Sequence, residues 1–130
     1  MAGYDRRREL GKRGEEIAAV YLEKNGYRVI ERNYRNKLGE IDIIAQNGAV
    51  LCFIEVKTRR STSFGFPEEA IKKTKQRKIG QIVLAYLKIH NRLKEQFRFD
   101  IVAVMYRDDE NQSRINLIKD AFPLDLQYSI

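Results

Sequence analysis

Two runs rich in β-branched residues, Ile41 to Ala45 and Val50 to Val56, flank the dipeptide Asn47-Gly48 in the stretch from Gly39 to Arg60. Asn-Gly favours the φ > 0 pair of a type I′ turn, so the pattern predicts a β-hairpin. A two-residue turn at this point opposes Gln46 to Ala49, Ile44 to Leu51, Asp42 to Phe53 and Glu40 to Glu55. Alternation then puts Glu40, Asp42 and Ile44 on one face with Leu51, Phe53, Glu55 and Lys57, and Ile41, Ile43, Cys52, Ile54 and Val56 on the other. The second set is core. The first is apolar beside the turn and becomes charged where the strands leave the hairpin.

Upstream, Glu9 to Asn25 predicts a helix, with Asn25-Gly26 as its C-terminal cap. Leu10, Gly14, Ile17, Ala18 and Tyr21 share one face and Glu9, Lys12, Glu16 and Glu23 the opposite one. Glu16 is thereby expected in solvent, whereas Glu15 falls at the apolar boundary beside Gly11, Ala19 and Leu22. Tyr27 to Tyr34 predicts a strand whose weak pattern suits a sheet edge. Downstream, a loop over Ser61 to Pro67 carries Phe64 and Phe66, and Pro67 with Glu68 and Glu69 can open a helical turn. A helix follows from Lys73 to His90, with Ile79, Ile82, Val83, Tyr86 and Leu87 as its core face. Gln96 to Tyr106 predicts a strand apolar on both faces in its later part, as in a sheet centre. A turn at Asp108-Asp109-Glu110-Asn111 leads to a short last strand, Arg114 to Ile118. Residues 1–8, with Arg6, Arg7 and Arg8, read as a flexible basic arm, and 123–130 as a patternless tail.

The chain of 130 residues, 43% hydrophobic and 33% charged, fits a single domain over 1–130. No apolar run approaches the ~20 residues of a membrane span and the basic N-terminus precedes no signal-peptide core, so a cytoplasmic location without membrane contact is expected. Cys52 is the one cysteine and His90 the one histidine. That excludes a disulfide framework and a Cys/His zinc site, and leaves an oxygen-ligated hard cation as the metal this composition can hold. A net charge of +7 and a pI near 9.6 point to a polyanionic partner.

The open end of the hairpin is the candidate site. In the predicted register Asp42 and Glu55 are diagonal neighbours, roughly 7–8 Å apart before the side chains lean together. Both can reach one cation with oxygen ligands at about 2.0–2.6 Å. Glu40 opposite Glu55 would be a repulsive pair unless a metal and Lys57 supplied positive charge. Lys72, Lys73, Lys75, Arg77 and Lys78 crowd the start of the second helix against its dipole, a placement that favours a docked anion such as a phosphate backbone. Arg59 and Arg60 extend this basic surface from the end of the third strand.

The predicted order is helix, three strands, helix, strand, with Asp42 on the second strand and Glu55-Val56-Lys57 on the third. It resembles the PD-(D/E)XK nuclease superfamily. The motifs G-x-x-G-E (Gly11 to Glu15), G-Y-R (Gly26 to Arg28), G-E-I-D (Gly39 to Asp42), F-I-E-V-K-T-R (Phe53 to Arg59), F-G-x-P-E-E-A (Phe64 to Ala70), K-Q-R (Lys75 to Arg77) and R-F-D (Arg98 to Asp100) resemble the YraN-type family of uncharacterised bacterial proteins within it, similar to archaeal Holliday-junction resolvases. Ile41, not proline, stands before Asp42. The resemblance implies an α/β, restriction-endonuclease-like αβββαβ core, a mixed central sheet flanked by helices, here with one additional C-terminal strand. It implies Mg²⁺ (or Mn²⁺) held by Asp42, Glu55 and the Val56 backbone carbonyl, Lys57 orienting water, Glu15 as an auxiliary acid, and Gln76 as the polar helix position near the scissile phosphate. Glu40 is a further candidate ligand. The implied activity is metal-dependent hydrolysis of phosphodiester bonds in nucleic acid, with DNA, branched DNA included, as the expected substrate. The alternative is a non-catalytic nucleic-acid-binding protein on the same fold. Cleavage of two strands would suit a homodimer, with Phe64 and Phe66 as candidate contacts.

Overall fold

The computed structural model describes residues 6–60, 71–107, 112–124 and 126. The elements are α1 (Arg6–Lys24), β1 (Tyr27–Asn36), β2 (Gly39–Asn47), β3 (Val50–Arg60), α2 (Lys73–Ile89), β4 (Gln96–Arg107) and β5 (Gln112–Ile118). One sheet has the spatial order β1-β2-β3-β4-β5 and is antiparallel except for the β3·β4 pair, which α2 connects. This is a mixed α/β, restriction-endonuclease-like arrangement with the additional C-terminal strand, and β1 does lie at an edge. The expected loop with Phe64 and Phe66, the turn at Pro67, and the turn over 108–111 lie outside the described residues.

The helices cover opposite faces because each strand of the hairpin is apolar on both. Ile79, Ile82, Val83, Tyr86 and Leu87 of α2 pack on Ile41, Ile44, Leu51, Phe53, Phe99 and Ile101, where Tyr86 meets Phe53 edge-on at 5.5 Å and Tyr34 at 5.1 Å. Ala18 and Leu22 of α1 pack on Ile43, Ala45, Cys52, Ile54, Val102 and Val104. Cys52 is a buried free thiol whose burial pushes its pKa up to about 12, which keeps it unreactive. Phe122, beyond β5, packs its ring at a tilt against Phe99 at 4.8 Å and closes the α2-side core, so the segment after β5 begins with an anchor.

The hairpin register differs from the expected one by two residues. Gly48 and Ala49 form the turn, and Asn47 pairs with Val50, Ile44 with Phe53 and Ile43 with Ile54. Gly48 alone has positive φ there, at +60°, which is the type II′ rather than the I′ pattern. Asn47 stays in the strand because its side chain is committed elsewhere: its Nδ2 donates to Gly26 O at 3.2 Å and its Oδ1 accepts from Arg98 Nη2 at 3.0 Å. Fully buried Asp100 completes that network, accepting from Arg98 Nε (2.9 Å), Tyr27 OH (3.0 Å) and Asp120 N (2.9 Å). A paired and fully hydrogen-bonded buried charge is a fixed post, since breaking such a pair costs about 3–5 kcal/mol. The R-F-D motif therefore fastens the turn end of the sheet, away from the charged end.

A shift of two preserves the faces near the turn, but alternation fails farther along. Between the pairs Arg32↔Ile43 and Tyr34↔Ile41 lie Asn33 and Asp42. Tyr34 and Ile41 pack in the α2-side core while Ile43 packs in the α1-side core. Both strands thus change sides at this one position. Asn33 makes the change with φ +56°, a left-handed conformation that Asn tolerates better than most residues.

Candidate metal centre

The β2·β3 ladder stops at Ile43↔Ile54, whereas β2 stays paired to β1 down to Gly39 and β3 stays paired to β4 up to Arg60. Beyond Ile43 and Ile54 the sheet is therefore split between its second and third strands. Asp42 stands at the apex of the split, where its Oδ2 accepts a 2.8 Å hydrogen bond from the Val56 backbone N–H in place of a ladder partner. In an extended strand a residue's N–H and C=O leave by the same edge, so the Val56 carbonyl opens onto the same gap.

Helix α1 brings the next acid. Gly14 is buried against β3, and a Cβ there would come within 2.8 Å of Thr58 Cβ and closer still to its hydroxyl. The close approach requires glycine at this position, and it sets Glu15, the following residue, beside the gap. Carboxylate oxygens of Glu15, Glu40 and Asp42 lie within 4.8 Å of one another. Burial raises the Glu15 carboxyl above its ordinary value, with Arg32 opposing the shift and Glu40 and Glu16 adding to it. Asp42 is pushed up to about 6, first by burial, against the Val56 hydrogen bond, and then by the charges of Glu15, Glu55 and Glu40.

Glu55 comes from the other side. It follows Leu51 and Phe53 on the α2-facing side of β3, and its Oε1 pairs with Lys75 Nζ at 2.5 Å. Its Oε2 is buried with no hydrogen-bond partner among the described residues. Lys57, two residues on, is half-buried on the same strand.

These groups fit a divalent cation. They are all hard oxygen donors, one carboxylate oxygen lacks a hydrogen-bond partner among the described residues, and burial, with the acidic neighbours adding to it, raises the cost of ionising Asp42, a cost that a cation would relieve. Asp42, Glu55 and the Val56 carbonyl would hold such an ion, with Glu15 at its side. Three expectations need correction. Asp42 and Glu55 are not diagonal neighbours on one face: they enter the gap from the α1 and α2 sides, because the side change at Asn33 and Asp42 turns the aspartate toward α1. Glu40 does not oppose Glu55, and its Oε2 instead accepts from Arg35 Nη2 at 2.7 Å and Nε at 3.2 Å. The Gln76 Nε2 donates to Ile71 O at 2.8 Å, and Lys75, not Gln76, is the α2 side chain that bonds Glu55.

Around the gap the surface is basic. Lys72, Lys73, Lys75, Arg77 and Lys78 are exposed, as are Arg59 and Arg60 at the end of β3. The first turn of α2 contains no acidic residue, and Lys72 at its N-cap provides no side-chain cap. Lys78 runs past Gly39, so this turn overlies the start of β2.

The profile of the uncharacterised protein family UPF0102 matches residues 14–104. The chain belongs to this family. UPF0102 proteins from Caldicellulosiruptor saccharolyticus and Syntrophus aciditrophicus are 47% and 49% identical to it, over 89% and 88% of this chain and 98% and 88% of theirs. One from Alkaliphilus metalliredigens is 45% identical over 88% of this chain and 98% of its own length. The crystal structure of SSO0001 aligns with 88% of this chain and 52% of that one at 16% identity and a TM-score of 0.33, too distant to bear on the site. Every residue from Glu15 through Gln76 that the candidate centre uses lies inside the UPF0102 match.

Sequence reasoning missed Asn33, whose left-handed backbone no local motif announces, and the cations Arg32 and Arg35 on the edge strand. Glu16 is exposed as expected, and it also pairs with Arg32 at 2.8 Å across the α1–β1 contact. The one usable signal was an arginine recurring among polar residues on a strand that faces the adjacent glutamates Glu15 and Glu16 of α1.

Proposed function

We propose that the protein is a metal-dependent phosphodiesterase of the PD-(D/E)XK type that cleaves nucleic acid, with DNA, branched DNA included, as substrate. The observation that supports this reading is the split between β2 and β3, where Asp42 bonds the Val56 N–H, Glu15 and Glu40 offer carboxylate oxygens within 4.8 Å, and Glu55 on the adjoining strand meets Lys75 of the basic helix start. Mg²⁺ or Mn²⁺ held there supplies Lewis-acid polarisation of a phosphoryl oxygen and a lower pKa for an attacking water.

The chain's own groups do the rest. Lys57 follows Glu55 at the spacing that puts both side chains on one side of β3, where its ammonium orients water and stabilises charge developing on the phosphorus centre. Glu15 accepts a hydrogen bond or a proton on the α1 side, a role that its raised pKa favours. Lys72, Lys73, Arg77, Lys78, Arg59 and Arg60 bind backbone phosphates around the gap. No helix among the described residues is long and apolar enough to cross a membrane, which accords with a partner in solution.

A non-hydrolytic nucleic-acid-binding protein is the second reading. It is favoured by the Glu55–Lys75 ion pair, which neutralises a needed ligand. The deciding experiment is cleavage of branched, duplex and single-stranded substrates with Mg²⁺, Mn²⁺, Ca²⁺ or chelator, with Glu55→Ala beside the wild type. Cleavage with Mg²⁺ or Mn²⁺ that is lost in chelator and in Glu55→Ala supports the enzyme. Binding without cleavage under every condition supports the second reading.

A further inference from the structure

Lys75 occupies an unusual place among the cations of the α2 start. Its neighbours Lys72, Lys73, Arg77 and Lys78 are exposed, but the Lys75 ammonium reaches inward to Glu55 Oε1 at 2.5 Å, and the Glu55 side chain is only 20% exposed. The pair engages one of the glutamate's two oxygens, and Oε2 has no hydrogen-bond partner among the described residues. A divalent cation and an ammonium would compete for this carboxylate, since each supplies the positive charge that the other makes redundant. Lysine suits an exchangeable partner because it is a point charge on a flexible stem, without the fixed fork of arginine. The Lys75 side chain is itself 54% exposed, so it has solvent to swing into. It would swing toward the basic turn, where a phosphate would be waiting. Gln76 cannot take over the role while its side chain is tied to Ile71 O.

We propose that Lys75 is an exchangeable counter-ion. In the metal-free protein it neutralises Glu55; when a divalent cation enters the gap it is released to a backbone phosphate of bound nucleic acid. Cation binding and strand binding then reinforce each other, each raising the other's affinity by the same factor. The inference rests on the metal-dependent reading above and adds a coupling between metal and substrate.

The test is Mn²⁺ titration of the intact wild-type chain and of Lys75→Met, Lys75→Arg and Glu55→Gln, with anisotropy of a labelled phosphorothioate duplex measured with and without Mn²⁺ at constant ionic strength. Lys75→Met is expected to bind Mn²⁺ about fivefold tighter than wild type, the scale of losing one competing ion pair. Lys75→Arg is expected to keep the competition, and Mn²⁺ is expected to raise duplex affinity in wild type but not in Lys75→Met. If wild type binds Mn²⁺, Glu55→Gln loses it, and Lys75→Met binds it equally or more weakly than wild type, this inference is overturned while the metal reading stands. An equal rise of duplex affinity in wild type and Lys75→Met also overturns it. If wild type and Glu55→Gln both fail to bind Mn²⁺, the metal reading falls and takes the inference with it.

Discussion

Asp42 accepts a 2.8 Å hydrogen bond from the backbone N–H of Val56 at the point where β2 and β3 part. A carboxylate thereby replaces a carbonyl in the ladder, and the protein holds a half-buried acid where β2 and β3 part. The hydrogen bond favours the charged form, but burial and three neighbouring acids outweigh it and push Asp42 up to about 6, from an ordinary value of 3.8. An acid whose pKa is raised on folding opposes folding once it ionises. The penalty is absent below about pH 4, grows as the pH rises, and is complete above about pH 6.

Asp42→Asn, which keeps the acceptor and removes the charge, is therefore expected to stabilise the metal-free protein at pH 7 by about 3 kcal/mol and to be neutral near pH 4. Urea unfolding of both proteins in chelator from pH 4 to pH 8 measures the difference. A gap between the curves that does not change with pH would contradict the assignment. Adding Mg²⁺ at pH 7 should stabilise the wild type and leave Asp42→Asn unmoved.

Gly14→Ala tests how Glu15 reaches the gap. Ala favours a helix interior over Gly by about 1 kcal/mol, but the added Cβ would come within 2.8 Å of Thr58 Cβ. Overpacking of this kind costs about 1–3 kcal/mol. The variant is expected to be destabilised by about 1 kcal/mol net and to bind Mn²⁺ more weakly, because α1 must retreat from β3 and carry Glu15 with it. Thr58→Ala in the same chain should restore part of both. A Gly14→Ala protein more stable than wild type would show that α1 does not depend on this contact.

The charged end of the hairpin was legible in the sequence as chemistry, though its geometry was not. Strand alternation put Asp42, Glu55 and Lys57 on the hairpin, helical periodicity put Glu15 at the edge of α1 and found the core faces of the helices, and a weak pattern gave the edge position of β1. The register was displaced because the expected turn treated Asn47 as a turn residue, whereas Arg98 and Gly26, 51 and 21 positions away, hold its amide in the strand. The convergence on one face failed for a similar reason. Alternation was extended through Asp42, but Asn33 opposite it adopts a left-handed backbone, and a residue's neighbours in sequence do not report a partner strand's φ. Gln76 and Lys75 are adjacent polar residues at a helix start. Only the packed orientation of α2 decides which of them meets Glu55.

The basic surface makes a prediction independent of the chemistry. If Lys72 and Lys73 contact phosphates, their joint replacement by Gln should weaken binding to all sequences alike and lower the log–log salt slope by about 0.7–0.9 for each lost contact. Anisotropy across a salt series reads the slope directly. An unchanged slope would show that nucleic acid does not approach over the start of α2.

The gap between β2 and β3 is proposed to be a divalent-cation site. Anomalous diffraction from crystals grown with Mn²⁺ tests it most directly. The predicted result is a Mn²⁺ peak bound by Asp42, Glu55 and the Val56 carbonyl, with Lys75 withdrawn from Glu55. A map without a peak in the gap at saturating Mn²⁺, with Lys75 still seated on Glu55, would contradict it.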